Sequence, residues 1–551
     1  MNPFIGISKP NCMKIILTQI ALIFISLTSL AQSHIEWTTH EITPGAQVNL
    51  FKGTNSDKAG NTYTIHFTQE PINHYFTYRF FAYNNTGTKL WQYDNDSCFT
   101  DCQDIYSIIV PVENDGAYFI GYYNDLTNPW QLRIKRIGLS GNLIWENYWN
   151  PGYIAAYPVS AAIDNSGNLV VALRSYFSMV NDEDFAFAKF DSTNGNNIWH
   201  YEIPDVGSQT ETIRSMAIDN ANNIYGCGPA GMDYYYFRVN SAGALDYKLL
   251  LTDNDSIDDF NSLGTIQLLA GNNNDLYILS GTGKKAWVQK YEASSGNYIY
   301  TKTIAHDSAT LVPVSMVYDD NCLYALSNYN YLIPDSSVWP GFHVTNREYM
   351  ITKVDTNGTT IWEKTFLEDL DSMALETGSG GADQMLLCNG HLYVLSTFVS
   401  DSTNANSTMM VLNNIDAAGI ISWFDTDAAD FGAGSMAADS YCNIYVSRSA
   451  NLGSQYVHVI TQKFTDNVAA IGDNNNNAVD WNIYPNPAQG FINISHESKG
   501  NFDVKVINAV GATVLNEKNK QQLNVSGLAT GMYFVRLQTD SKIQVKKFIR
   551  D

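Results

Sequence analysis

A glycine followed four positions later by tryptophan or tyrosine recurs along most of this chain. The copies are Gly87/Trp91, Gly141/Trp145, Gly195/Trp199, Gly243/Tyr247, Gly296/Tyr300, Gly358/Trp362 and Gly419/Trp423. Successive aromatics stand 54, 54, 48, 53, 62 and 61 residues apart. A second element, a turn followed by a short strand, occurs at Asn61-Thr-Tyr63, Gly116-Ala-Tyr118, Asn168-Leu-Val170, Asn223-Ile-Tyr225, Asp275-Leu-Tyr277, Cys322-Leu-Tyr324, His391-Leu-Tyr393 and Asn443-Ile-Tyr445. A fixed period of this size means that one supersecondary unit is copied, each copy covering the apolar face of the next. Period-2 alternation and Asn/Asp/Gly turns put two hairpins, hence four strands, in each period. That is the pattern of a β-propeller blade.

Eight hairpins of the second kind meet seven glycine–aromatic strands. Ile35-Glu-Trp37 resembles Ile198-Trp199 and Ile361-Trp362. If residues 34–40 form the outer strand of the final blade, beside Thr461–Phe464, the ring closes and no sheet edge is left open. The expected fold is therefore all-β, an eight-bladed propeller over 32–470. A seven-bladed ring is the alternative. The candidate blade-docking aromatics are Trp37, Trp91, Trp145, Trp199, Tyr247, Tyr300, Trp362 and Trp423.

The segments Lys189-Phe-Asp191-Ser-Thr-Asn-Gly195-Asn-Asn-Ile-Trp199 and Lys353-Val-Asp355-Thr-Asn-Gly358-Thr-Thr-Ile-Trp362 carry the glycine turn most clearly. The first resembles the tryptophan-docking repeat of quinoprotein-like propellers, which implies a ring stacked between blades. The enzymes of that family would be expected to show a vicinal Cys-Cys and calcium-binding carboxylates, and their haem-bearing relatives Cys-x-x-Cys-His. This chain has neither cysteine motif. No cofactor is evident, no catalytic residue is assigned, and calcium remains a candidate ion without a supporting motif.

Composition supports strands: 34 Tyr, 25 Phe and 11 Trp against only 16% charged residues. Net charge is −23. The stretch from Ala478 carries +3 and residues 1–31 carry +2, so the intervening chain holds −28. Such a surface repels nucleic acid and anionic lipid. Acidic residues follow many of the aromatic strands, as at Asp253, Asp255, Asp258 and Asp259. In a propeller those loops share one face, where a cation or basic partner would be attracted.

Residues 1–31 read as a signal peptide, with Lys14 as the positive region, an apolar run to Leu30, and cleavage between Ala31 and Gln32. Met13 is a candidate start. No later segment has the length and apolarity of a membrane span. Cys98 and Cys102 flank a short acidic loop and suit a local disulfide in an oxidising compartment. Cys227, Cys322, Cys388 and Cys442 lie in strand patterns and read as small buried hydrophobes.

An Asn-rich linker, 471–479, leads to a set of short alternating strands over 480–551, the signature of a small Ig-like β-sandwich. This segment carries Tyr484-Pro485-Asn486-Pro487, then Leu528-x-x-Gly531-x-Tyr533, then Lys546-Lys547-Phe548-Ile549. It resembles the type A C-terminal sorting domain of the type IX secretion system. The resemblance implies a partnership with that machinery and a secreted or surface-attached product once leader and tail are removed. No His-Glu-x-x-His, Gly-x-Ser-x-Gly or EF-hand pattern occurs. The expected role is a non-catalytic module binding a glycan, a protein or a cation. A secreted polysaccharide hydrolase or lyase is the alternative.

Overall fold

The computed structural model describes residues 34–550 apart from 42–47, 70–75, 96–102, 126–129, 177–182, 204–210, 231–232, 252–265, 272, 282–284, 306–308, 320, 335–341, 368–379, 400–407, 429–433, 451–456, 466–480, 486, 497–501, 509–512 and 540–542. Every regular element among them is a β-strand. Ile35–Thr465 forms one compact unit and the chain from Asp466 belongs to another.

The first unit contains eight four-stranded antiparallel sheets. Seven are continuous in sequence: blades 1 to 7 span 48–94, 103–149, 155–202, 215–250, 267–305, 309–367 and 380–428. Blade 8 takes three strands from 435–464 and its fourth from Ile35–Glu41. That N-terminal strand pairs antiparallel with His458–Phe464, in the register Trp37↔Lys463 and Thr39↔Thr461. The first strand of each blade lies against the first strand of the next, and that of blade 8 against that of blade 1. The sheets therefore close as an eight-bladed β-propeller, and the seven-bladed alternative falls.

Alternation explains why these sequences are strands. Second and third strands are covered on both faces and read as near-continuous apolar runs, such as Leu169-Val-Val-Ala-Leu173 and Phe185-Ala-Phe-Ala188, all buried. Fourth strands have one side open. In Asn197–Glu202, Ile198 is 48% exposed while its neighbour Trp199 turns inward. Most of the stabilisation comes from the clusters between blades. Phe80, Trp91, Tyr106 and Phe119 pack together across blades 1 and 2, and Val170, Phe187, Ile224 and Phe237 across blades 3 and 4. Each fully buried aromatic or branched side chain contributes roughly 1.5–3 kcal/mol.

The second unit is a two-layer sandwich. A three-stranded sheet contains Trp481–Tyr484, Phe491–His496 and Gln522–Asn524. It faces a four-stranded sheet built from Phe502–Asn508, Thr513–Lys518, Gly531–Thr539 and Ile543–Arg550. Ile492, Ile494, Val504, Val506, Val535 and Leu537 fill the space between them.

Candidate functional site

The strand order gives the ring two unlike faces. Turns between first and second strands, and between third and fourth, all emerge on one face. They are short, the longest running only from Phe190 to Asn197. The other face carries the connections between second and third strands and those between blades. The longest there joins Leu250 to Gln267.

The turn face is built by side chains acting on backbone. Asp57 Oδ1 accepts from the amides of Ala59 and Asn61 at 3.0 and 2.8 Å, and Asn61 Nδ2 donates to Asp57 Oδ2 at 2.8 Å. Asp219 with Asn223 and Asp439 with Asn443 repeat this arrangement. The following tyrosine joins in, its hydroxyl donating to the same aspartate: Tyr225 to Asp219 and Tyr445 to Asp439, both at 2.9 Å. Burial, then the neighbouring carboxylate, pushes both phenols up out of any physiological titration. The local signal was available as Asp-x-x-x-Asn-x-Tyr, and reading only the Asn-x-Tyr end missed it.

Each glycine turn receives the aromatic ring of the blade before it. At Gly141 φ is +83°, and a methyl there would fall 2.7 Å from the Trp91 ring, so both conformation and space demand glycine. Trp37 meets Gly87, Trp145 meets Gly195, Trp199 meets Gly243, Tyr247 meets Gly296, Tyr300 meets Gly358 and Trp362 meets Gly419 in the same sense. Four indoles also donate to a carbonyl of that turn: Trp37 to Asn85, Trp91 to Leu139, Trp145 to Ser192 and Trp362 to Ala417, at 3.0–3.1 Å. Trp423 belongs to blade 7 and faces blade 8, where the third and fourth strands are not joined by a turn. It is buried and lies 6.2 Å from Tyr393.

Opposite six of the eight aromatics stands a base: Lys463↔Trp37, Arg136↔Trp145, Lys189↔Trp199, Arg238↔Tyr247, Lys290↔Tyr300 and Lys353↔Trp362. These bases reach aspartates, as Lys189 does at Asp164 (2.5 Å), or carbonyls of the next blade, as Lys290 does at Thr356 (3.1 Å). Nearer the axis, Gln384 of blade 7 binds both polar groups of Met436 in blade 8, each at 2.9 Å. The recurring carboxylates and bases of the turn face are thus engaged in holding turns, strands and, through carbonyls such as that of Thr356, neighbouring blades.

The cysteine reading needs correction. Cys388 and Cys442 are not isolated hydrophobes: they form a disulfide with Cα atoms 5.6 Å apart, joining blades 7 and 8. Their separation of 54 residues is about one blade, so equivalent positions of adjacent blades come into register. A loop of that size gives about 4 kcal/mol in the chain-entropy account. Cys227 is free and buried, and Cys322 is free and half-buried. Cys98 and Cys102 lie outside the described residues, as do Ala31, Gln32, Asn486 and most of the acidic loop residues. Among the described residues no group of three or more His, Cys, Asp or Glu side chains is arranged to hold a metal, and no helix is long and apolar enough to cross a membrane.

In the sandwich the motif residues divide. Tyr533 is buried, stacks on Phe548 at 5.6 Å, and donates to the Ala529 carbonyl at 2.9 Å. Gly531, Lys546 and Lys547 lie on paired strands, Gly531 opposite Arg550 and Lys546 opposite Val535. Tyr484, Pro485 and Pro487 are exposed. The two prolines line a groove of about 460 Å³ with Gly490 and Phe491.

Residues 482–551 match the family model of the secretion system C-terminal sorting domain. The chain thus ends in a type IX sorting domain, which directs export through that machinery to the cell surface or the medium. No curated protein matches the chain. Among solved structures, BamB from Moraxella catarrhalis is similar at 11% identity and TM-score 0.41, over 77% of this chain and 98% of that one. Quinohemoprotein alcohol dehydrogenase from Comamonas testosteroni is similar at 10% identity and TM-score 0.45, over 78% of this chain and 76% of that one. Likeness this distant carries neither cofactor nor activity across.

Proposed function

We propose that the propeller is a non-catalytic binding module delivered outside the cell by its sorting domain. One observation carries this reading: the contrast between the two faces. The turn face is built of short turns in which a glycine–aromatic contact recurs from blade to blade, and its recurring polar side chains are engaged in holding turns and neighbouring blades. The connections of the loop face vary in length, from the one joining Ala230 to Asp233 to the one joining Leu250 to Gln267, and variable loops are how a rigid scaffold presents recognition residues. The overall charge of −23 sets the class of ligand. Neutral and cationic partners are favoured, and nucleic acid and acidic polymers are disfavoured.

The test is a binding and turnover screen of the exported chain against neutral polysaccharides and extracellular proteins. Retention of a ligand without release of reducing ends is the expected result. Steady release of new reducing ends from any polymer would replace this reading with that of a hydrolase or lyase.

A further inference from the structure

Most aromatic rings of the propeller are accounted for by docking and core packing. One group on the loop face is not. Tyr122 lies near the end of Gly116–Asn124 in blade 2, Trp130 precedes the next strand of that blade, Tyr157 lies near the start of Ala155–Ile163 in blade 3, and Tyr176 closes the second strand of blade 3. Tyr122 lies 5.4 Å from Trp130 and 4.8 Å from Tyr157. Trp130 lies 5.6 Å from Tyr157, which lies 5.7 Å from Tyr176. All four are half-buried.

The cluster is held rigidly. The Trp130 carbonyl accepts from the Ala156 amide at 3.1 Å and from Asn150 Nδ2 at 3.0 Å, which fixes it to blade 3. Arg174 lies over Tyr157 and Tyr176 at 5.6 and 5.3 Å and is paired with Glu183 at 3.3 Å. Glu183 also accepts from Thr212 Oγ1 at 2.9 Å and from the Tyr176 hydroxyl. Charge is therefore balanced locally.

The polar tips are different. Among the described residues, the hydroxyls of Tyr122 and Tyr157 and the indole nitrogen of Trp130 have no hydrogen-bond partner. Among the docking aromatics, the indoles of Trp37, Trp91, Trp145 and Trp362 donate to a carbonyl, and the Trp199 nitrogen and Tyr300 hydroxyl, which also lack a partner, are buried away from solvent. Burial raises the Tyr122 and Tyr157 phenols, so both keep a proton to donate.

We propose that Trp130, Tyr122 and Tyr157 form a binding subsite for a neutral polyhydroxylated ligand, a pyranose unit of an oligosaccharide. A sugar ring offers an apolar C–H face to the aromatic faces, and hydroxyls that give and accept at the three free tips. Arg174 and Glu183, neutralised by each other, present further donors and acceptors without attracting a charged polymer. Trp, Tyr and Arg also dominate protein interfaces. A protein anchor, however, would want an apolar rim, and here the rings are bordered by an ion pair and free hydroxyls.

The proposal rests on the binding-module reading and names where on the loop face a ligand sits. The test titrates the exported chain with cellohexaose, xylohexaose, laminarihexaose, mannohexaose and chitohexaose, followed by calorimetry and tryptophan fluorescence. Trp130→Ala should weaken the best sugar by about tenfold or more, and Tyr157→Phe, which keeps the ring and removes the tip, by about threefold. Both variants should melt within a few degrees of the parent. Unchanged sugar affinity in both variants would overturn the subsite and leave the binding module standing. Binding of none of the five sugars, with capture of an extracellular protein lost in Trp130→Ala, would replace the sugar with a protein partner. Binding of neither sugar nor protein would remove the subsite and the binding reading together.

Discussion

Trp145 and Trp130 belong to the same blade, yet their indole nitrogens meet opposite fates. The first donates to Ser192 of the next blade and its ring rests on Gly195. The second has its backbone pinned and its nitrogen free. The difference follows the two faces of the ring. On the turn face an aromatic residue is a spacer, matched to a glycine one blade on. On the loop face the Trp130 ring packs on Tyr122 and Tyr157, while its nitrogen has no hydrogen-bond partner among the described residues. Residue type alone therefore does not separate a structural aromatic from a recognition aromatic: Trp199 Nε1 and the Tyr300 hydroxyl also lack a partner but are shut away from solvent, so a recognition tip is one that is both unpartnered and open.

The contrast can be broken most severely at the closing blade. Deleting Ile35–Glu41 removes the strand paired with His458–Phe464 and takes Trp37 off Gly87. The exposed edge should promote aggregation. Soluble, monomeric material with a parental melting curve after this deletion would show that closure does not depend on it. Next in size, Trp145→Ala should cost about 3–4 kcal/mol in chemical denaturation, because the ring is only 8% exposed and the space cannot collapse fully. A cost under about 1 kcal/mol would show that docking is not what holds blades 2 and 3 together.

Acid should separate the buried scaffold from the loop-face subsite. His66 is buried in blade 1 against Phe81, with Nε2 2.9 Å from Thr64 Oγ1. Burial, with Arg79 and Lys89 nearby, pushes the imidazole down to about 3. The unfolded chain binds that proton near pH 6.5, so the stability tied to the neutral ring is full above that value. It is lost as pH falls toward 3, by roughly 2 kcal/mol at pH 5. His66→Gln should flatten this limb of a stability-versus-pH curve. Sugar binding at the subsite, built on phenols that stay protonated, should not follow it. The smallest effect is expected at Trp130→Ala, under about 1 kcal/mol of stability. A loss as large as that of Trp145→Ala would mean that Trp130 is a core residue.

The architecture was legible in the sequence because its requirements are local and repeated. A turn needing positive φ declares itself as glycine, and a ring that must meet it appears at a fixed offset. Eight hairpins against seven glycine strands sufficed to point to Ile35-Glu-Trp37 as the missing strand. Features that need two blades at once were not legible. Cys388 ends a strand and Cys442 sits in the turn before one, and only the packing of blade 8 on blade 7 brings them together. Likewise Tyr122, Trp130, Tyr157 and Tyr176 come from four strands or strand ends of two blades, with nothing in their spacing to link them. The acidic loops that drew attention in the sequence lie largely outside the described residues, so the cation they suggested has no geometry to rest on. In the sandwich, one motif splits by burial: Tyr533 is core whereas Tyr484 is surface, a distinction that letters in a row do not carry.

The way blade 8 is assembled has a consequence for the order of events during folding. Its outer strand is the first part of the ring to emerge, and its three partner strands are the last. More than 400 residues separate Ile35 from Phe464. Contacts this distant in sequence form late, after local hairpins have shortened the effective loop. Blades 1 to 7 can each complete themselves from contiguous chain, while the N-terminal strand waits unpaired. When blade 8 arrives it is fastened on both flanks, through Trp37 on Gly87 to blade 1 and through Cys388–Cys442 to blade 7. The second fastening is covalent and needs an oxidising space. That fastening belongs to a space outside the reducing cytoplasm, on the route the sorting domain sets.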